Sequence, residues 1–275
     1  MADSSLFFHE TFQPEVTYLS KILELAVENE SGDKYRISEI TGIPTGEKKG
    51  KVEPHIKYAK YMGLIDYTCN RGIYCLNATE LGKVIWNQDK YLHETLTLWL
   101  LHYNISRNVY GAPAWEYVVK EMNCGFNEKI SCDHANSLLQ KGLGISGTDV
   151  AKYTGVVKNS YMTGCFANLY FLNWDDSVSY DEKTEQVEYL YIYAYVLLDS
   201  WNIEFPNKKE ITMAEIIDTL CLGKVFGLND EDIDSVLITL QDKGIISINR
   251  QLYPVTIVRT SEITDVLDRL YSLLM

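Results

Sequence analysis

The chain lacks an apolar run long enough to span a bilayer: its most apolar stretch, 187–198, is too short and contains Glu188. Residues 1–8 carry no basic group ahead of their apolar ones, which predicts no secretory signal and, with the missing span, a cytoplasmic protein. It also lacks an excess of positive charge. Its 25 Lys and Arg are outnumbered by 38 Asp and Glu, and the net charge of -13 excludes a protein that coats DNA indiscriminately. Any nucleic-acid contact must therefore be local. No H-E-x-x-H, G-x-S-x-G or Walker sequence is present. The cluster Gly142-Leu-Gly-Ile-Ser-Gly147 follows a helix and is not followed by Lys-Ser or Lys-Thr, so it reads as a helix stop and not as a phosphate loop.

Six cysteines without secretory features point to reduced thiols. Cys124, Cys132 and His134 form a C-x7-C-x-H run that matches no standard zinc spacing and has no obvious fourth ligand, so buried cysteines are expected. Cys69 and Cys75 are expected to face each other across a hairpin.

What the chain does contain is a repeated order of elements. At 36–76 and again at 211–258 a short helix, a turn, a longer helix and a two-stranded hairpin follow one another. The first long helix, His55-Ile-Lys-Tyr-Ala-Lys-Tyr-Met62, has apolar residues at helical spacing and is stopped by Gly63; the second, from Ser235, is stopped by Gly244. Hairpin turns are expected at Asn70-Arg-Gly72 and Asn249-Arg-Gln251. The order predicts a fold that is mainly α with small β wings, two winged-helix modules flanking a helical middle. The expected segments are an arm over 1–12, a first module over 13–88, the middle over 89–180 and a second module over 181–275.

The middle reads as helical and aromatic over 92–106, 115–122, 133–139 and 148–161, and 89–91 reads as a boundary. In the first module, 15–29 is a helix with Leu19, Ile22, Leu23, Ala26 and Val27 on one face, Ser31-Gly-Asp33 is a turn, and 37–41 is a short helix. The alternating tyrosines of 188–198 suit a strand, but length and the repeat decide for a packed helix. Their use as a platform for bases would require exposed rings beside basic residues, and no Lys or Arg lies between Glu185 and Asn207.

The two copies differ in charge. Gly46-Glu-Lys-Lys-Gly-Lys51 runs on to His55, Lys57 and Lys60, so five lysines stand against Glu47 and Glu53, and Arg71 lies at the wing turn. Lys48, Lys49 and Lys51 can each displace a counterion, and Gly46 and Gly50 would let backbone approach a phosphate. The second long helix opens with Asn229-Asp-Glu-Asp-Ile-Asp234, which suits the helix dipole but repels phosphate. It reads as a protein-contact or structural module.

Of five histidines, His9 beside Glu10 and His102 on the most aromatic helix sit in unusual settings. A catalytic arrangement would bring His9, Glu10 and another carboxylate around a divalent ion to activate water. The alternatives are a polar cap for His9 and a buried structural hydrogen bond for His102.

His9-Glu-Thr-Phe12, Ile40-Thr-Gly-Ile-Pro-Thr-Gly-Glu-Lys-Lys-Gly-Lys51, Tyr61-Met-Gly-Leu-Ile65, Thr97-Leu-Trp-Leu-Leu-His-Tyr103 and Gly223-Lys-Val-Phe-Gly-Leu228, in this order, resemble the SspB-type family of bacterial DNA phosphorothioation systems, long catalogued as a domain of unknown function. The resemblance runs from about Leu6 to the last helix. It implies a DNA-facing role in phosphorothioate modification and phage defence, on double-stranded DNA and alongside a cysteine desulfurase, an ATPase and a sulfur-transfer enzyme. SspB-type members are described as nickases. On that reading His9, Glu10 and His102 would work with magnesium or manganese while the lysines hold the strand. On the alternative reading the chain is a non-catalytic adaptor or scaffold. Pairing through wings or first helices would give a homodimer.

Overall fold

The computed structural model describes residues 6–126, 128–147, 149–251 and 253–274. They divide into two units, one taking the chain up to Met122 and again Lys129–Ser179, the other Asn123–Glu128 and Tyr180 onward.

In the first unit, α1 (Val16–Val27) buries Leu19, Ile22, Leu23, Leu25 and Ala26 along one face. The expected turn at 31–33 is instead a two-residue strand, β1 (Ser31–Gly32), followed by Asp33, whose carboxylate accepts from the backbone N–H groups of Tyr35 and Arg36 and caps α2 (Lys34–Thr41). Gly42, at φ 70°, ends that helix; α3 (Val52–Tyr61) ends before Gly63 at φ 72°. The strands β2 (Ile65–Asn70) and β3 (Ile73–Ala78) are joined by Arg71 and Gly72, both at positive φ, as a tight two-residue hairpin turn needs.

That turn fixes the register. Asn70 pairs with Ile73, so Cys69 lies opposite Tyr74 and Cys75 opposite Thr68. The two cysteines therefore point to opposite faces of the hairpin, contrary to the expectation that they face each other. The sheet order is β1-β3-β2, antiparallel throughout.

Thr79 caps α4 (Glu80–Gln88). The expected boundary after it is a tie: the buried carboxylate of Asp89 accepts from the N–H groups of His93 and Glu94 and from the hydroxyl of Thr97. It holds the start of α5 (Thr95–Ser106), which is buried on every side from Leu96 onward. Then come α6 (Pro113–Glu116), running into a π-helical turn at Tyr117–Glu121, the strand β4 (Lys129–Ser131), α7 (Cys132–Leu143), stopped by Gly144 at φ 63°, and α8 (Val150–Met162). Thr148, the expected first residue of α8, lies outside the described residues. The middle is not wholly helical: β5 (Leu172–Trp174) and β6 (Ser177–Tyr180) join β4 in a second sheet of order β4-β6-β5.

The second unit is built on α9 (Leu190–Glu204), buried without interruption from Leu190 to Leu198, so the alternating tyrosines are core. It continues through β7 (Glu210–Thr212), a π-helical turn at Glu215–Thr219, α10 (Leu222–Phe226) and α11 (Asp230–Asp242), capped by Asn229 and followed by Gly244 at φ 72°. The return strand of the last hairpin is placed differently from expectation. From β8 (Ile246–Asn249) the chain passes the expected site around 251–253, where Leu252 lies outside the described residues, and pairs only at β9 (Thr256–Arg259) before α12 (Ile263–Leu267). The third sheet is ordered β7-β9-β8, the same pattern as the first. The protein is thus mainly helical with small antiparallel three-stranded sheets. No helix among the described residues is long and apolar enough to cross a membrane.

Candidate functional site

The basic turn between α2 and α3 is a folded loop with its lysines outward. Lys51 N–H donates to the Pro44 carbonyl at 2.7 Å, closing it. A Cβ on Gly50 would lie 2.5 Å from Thr45 Oγ1, and one on Gly46 would lie 2.9 Å from the Lys49 carbonyl oxygen. The two glycines therefore serve the close folding of the loop on itself. Lys48 and Lys49 are exposed at its tip, and neither has an ion-pair partner among the described residues. Lys34, at the start of α2, donates to the Glu47 carbonyl at 3.3 Å, so the loop carries a further ammonium that lies outside the linear basic run.

The remaining basic candidates are less alike than their spacing implies. Lys51 is bound to Glu15 at 2.6 Å, and this hydrogen bond is the chief reason its pKa is raised. It also lies over the rings of Phe12 and Tyr18. Lys60 pairs with Asp66 at 3.7 Å and sits over Tyr67. Lys57 is half-buried on α3, and Arg71 is exposed at the wing turn.

His55 is not a DNA-facing residue. It is completely buried; its Nε2 accepts from the Glu15 backbone N–H at 3.1 Å, so the proton must sit on Nδ1, which donates to the Lys51 carbonyl at 2.7 Å. Burial lowers its pKa to about 4, although the Lys51 carbonyl pulls the other way. The ring is a neutral strut joining the segment before α1 to the start of α3. Charge pattern could not show this, because the partner is a backbone group 40 residues away.

His9 is also completely buried. Phe7, Phe8 and Trp115 surround its ring, and Phe8 in turn packs on Tyr58 of α3. Nδ1 accepts from the Thr11 N–H at 3.0 Å, so Nε2 carries the proton in the neutral ring, and among the described residues buried Nε2 finds no hydrogen-bond partner of good geometry. Burial lowers this pKa to about 4; the nearby Tyr153 backbone offsets part of the effect and Lys152 adds to it. Glu10, partly exposed, and Thr11, exposed, take left-handed backbone conformations at φ 49° and 75°, which a β-branched residue such as Thr rarely adopts. His102 is buried as well, with Nδ1 at 2.7 Å from the Tyr161 hydroxyl and its ring among Trp99, Phe166 and Phe171. His9 and His102 each belong to an aromatic core. Among the described residues no group of three or more His, Cys, Asp or Glu side chains converges to hold a metal ion.

The second unit has a cleft of about 710 Å³ lined by Asn123 to Phe126, Gly223, Lys224 and the start of α11. Lys224 shares it with Asp218, Asp230 and Glu231, so its charged side chains are mostly acidic. The Gly223-to-Leu228 string that carries part of the family resemblance lines this cleft and not the basic loop.

The model of a family of proteins of unknown function, DUF4007, matches residues 7–130. No curated protein matches the chain. Among solved structures, a magnesium ion-bound crystal structure of SspB superimposes with a TM-score of 0.78 and a second SspB crystal structure with 0.75. Each is 17% identical and covers 97% of this chain and 88% of its own. The SspB-type resemblance read from the short strings is thereby supported, and the fold is that of SspB.

Proposed function

With a DUF4007 segment over residues 7–130 and an SspB fold along nearly its whole length as the premise, we propose that the chain is a DNA-facing component of a phosphorothioate modification and phage-defence system. The observation that carries this is the likeness of fold over 97% of the chain. The first unit supports it independently. Its order of helices and its β1-β3-β2 sheet suit a winged helix, with α3 and the wing presented to double-stranded DNA. Lys48 and Lys49 meet phosphates, with Lys34 beside them; Lys57, Lys60 and Arg71 extend the contact, and Lys51 holds the loop through Glu15. The acidic second module faces the protein partners, a cysteine desulfurase, an ATPase and a sulfur-transfer enzyme.

Of the two roles open to such a component, the side chains favour the adaptor. The Nδ1 lone pair of His9 is taken by the Thr11 N–H, and the ring is sealed from solvent. His102 is closed off likewise. A divalent ion would supply a Lewis acid and an activated water in a nickase. The residues named for it, His9, Glu10 and His102, do not fit one as they stand, since the two imidazoles are enclosed by aromatic rings.

A gel-shift titration against salt tests the reading. Lys48→Ala with Lys49→Ala should lower the log-log salt slope by about 1.8, at about 0.9 for each phosphate no longer neutralised. Absence of any shift at low salt sinks the DNA-facing role. Conversion of supercoiled plasmid to open circles that requires magnesium or manganese and is abolished by a chelator would instead establish the nickase.

A further inference from the structure

The cleft of the second unit gathers carboxylates from two separate elements. Asp218 comes from the π-helical turn at Glu215–Thr219, and Asp230 and Glu231 come from the first turn of α11. The helix dipole accounts for Asp230 and Glu231 but not for Asp218, and the cap itself is already made by Asn229, which accepts from the Asp232 N–H at 2.9 Å. All three acidic residues are exposed, and among the described residues none of their carboxylates has an ion-pair or hydrogen-bond partner. The walls stand close because of Gly223, where a Cβ would lie 2.5 Å from the Leu228 carbonyl oxygen and 2.8 Å from Ile233 Cδ1. Half-buried Phe126 and Ile217 add apolar surface along which the aliphatic stem of a lysine or arginine can lie.

The cleft also presents a donor. Asn123, which lines it, is 1% exposed. Its Oδ1 accepts from the Gly125 N–H at 3.2 Å, while among the described residues its Nδ2 finds no hydrogen-bond partner of good geometry. A buried amide with unused N–H groups is costly, and an acceptor arriving with a ligand removes that cost.

Acceptors for a cation and a donor for a carbonyl, in one cleft, select the ligand. A divalent ion would use carboxylates alone, and among the described residues no three metal-ligating side chains converge. A polyamine offers nothing to the Asn123 amide, and a nucleic acid is repelled by the carboxylates. A peptide with a basic side chain offers both a cation and a backbone carbonyl. The net charge of -13 draws such a segment in, and about 710 Å³ is room for a ligand of that size. We propose that the cleft docks an arginine- or lysine-bearing peptide segment of a partner protein, with Asp218, Asp230 and Glu231 holding the side-chain cation and Asn123 Nδ2 a backbone carbonyl. The inference rests on the reading that the second module faces protein partners, and it gives that module a site and a ligand chemistry.

The test uses the full chain and the blocked peptide acetyl-Ala-Arg-Ala-Arg-Ala-amide, followed by titration calorimetry and by alkylation read out by mass spectrometry. Cys124, exposed on the cleft lining, reports occupancy, and Cys69, exposed on the wing, is the internal control. The peptide should bind, slow the alkylation of Cys124 and leave Cys69 unchanged. Asp218→Asn with Glu231→Gln, both exposed and unchanged in shape, should weaken binding roughly three- to thirtyfold without threatening the fold. The same peptide with citrulline for arginine, and spermidine, should each bind roughly tenfold more weakly or worse. Equal binding by the double variant or of the citrulline peptide overturns the proposal. Spermidine binding as tightly as the peptide overturns it in favour of a polyamine. If the peptide does not bind while the parent still shifts DNA, the cleft site falls and the DNA-facing role stands. Peptide binding without any DNA shift supports the cleft and removes the DNA-facing role.

Discussion

The first and third sheets have the same strand order and each long helix is followed by a glycine at φ 72°, yet the second module inserts α10 between its π-helical turn and its long helix, and the two present opposite surfaces. In the first, α3 follows a loop tipped by Lys48 and Lys49, and Arg71 at the wing turn is exposed. In the second, α11 opens with Asp230, Glu231 and Asp232, and the arginine of its hairpin, Arg250, is held by Asp234 at 2.7 Å. The apolar pattern and the glycines determine how such a module folds. The side chains on the outside are free to differ, so one architecture serves two kinds of surface.

The largest expected difference between the units is in acid. All five histidines precede residue 135, and none belongs to the second unit. His9 and His55 have folded-state pKa values lowered to about 4 from 6.5, so their contribution to stability is complete above pH 6.5 and is lost as the pH falls from 6.5 towards 4. At about 1.4 kcal/mol per unit, each amounts to about 3 kcal/mol. Hydrogen exchange at pH 7 and pH 4.5 should show the first unit losing protection well before the second. Equal loss in both, or an unchanged profile in a His9→Gln, His55→Gln variant, would remove the histidines as the cause.

A smaller contrast separates the two helix-stopping glycines. At Gly63 a Cβ would collide with Asn104, whereas nothing lies within 4 Å of one at Gly244. Gly63→Ala should cost about 3 kcal/mol, combining left-handed strain with overpacking, and Gly244→Ala about 1 kcal/mol from strain alone. Urea denaturation of the two variants gives the ranking, and equal losses would mean that Asn104 moves aside at no cost.

The smallest effect concerns Lys51. Its pair with Glu15 is about one-third exposed, so after solvent screening Glu15→Gln should change stability by less than about 1 kcal/mol. Freed from its carboxylate, Lys51 should then add about 0.9 to the salt slope of DNA binding, and an unchanged slope would confine Lys51 to holding the loop.

The helices and their stops were legible because they rest on local chemistry: Gly42, Gly63, Gly144 and Gly244 all take the left-handed conformation that ends a helix. The exposed tip Lys48-Lys49 was equally readable, since charge clusters are a linear property. The strands β1 and β4 were not, because two or three residues carry no period and become strands only through partners far along the chain. The cysteine register failed for a related reason, since a one-residue difference in hairpin pairing changes the face of every side chain. His55 was misread because its environment is set by the Glu15 backbone.

The division of the chain also bears on synthesis. The unit boundary is crossed at Met122, at Lys129 and again at Tyr180, so Asn123–Glu128 leaves the ribosome before the rest of its unit has been made. At roughly 5–20 residues per second that interval lasts several seconds, during which the first unit must close around its own later segment while holding a short stretch that belongs to neither its core nor its sheets. Cys124 lies in that waiting stretch, which makes its thiol a natural reporter of when the second unit completes itself on the nascent chain.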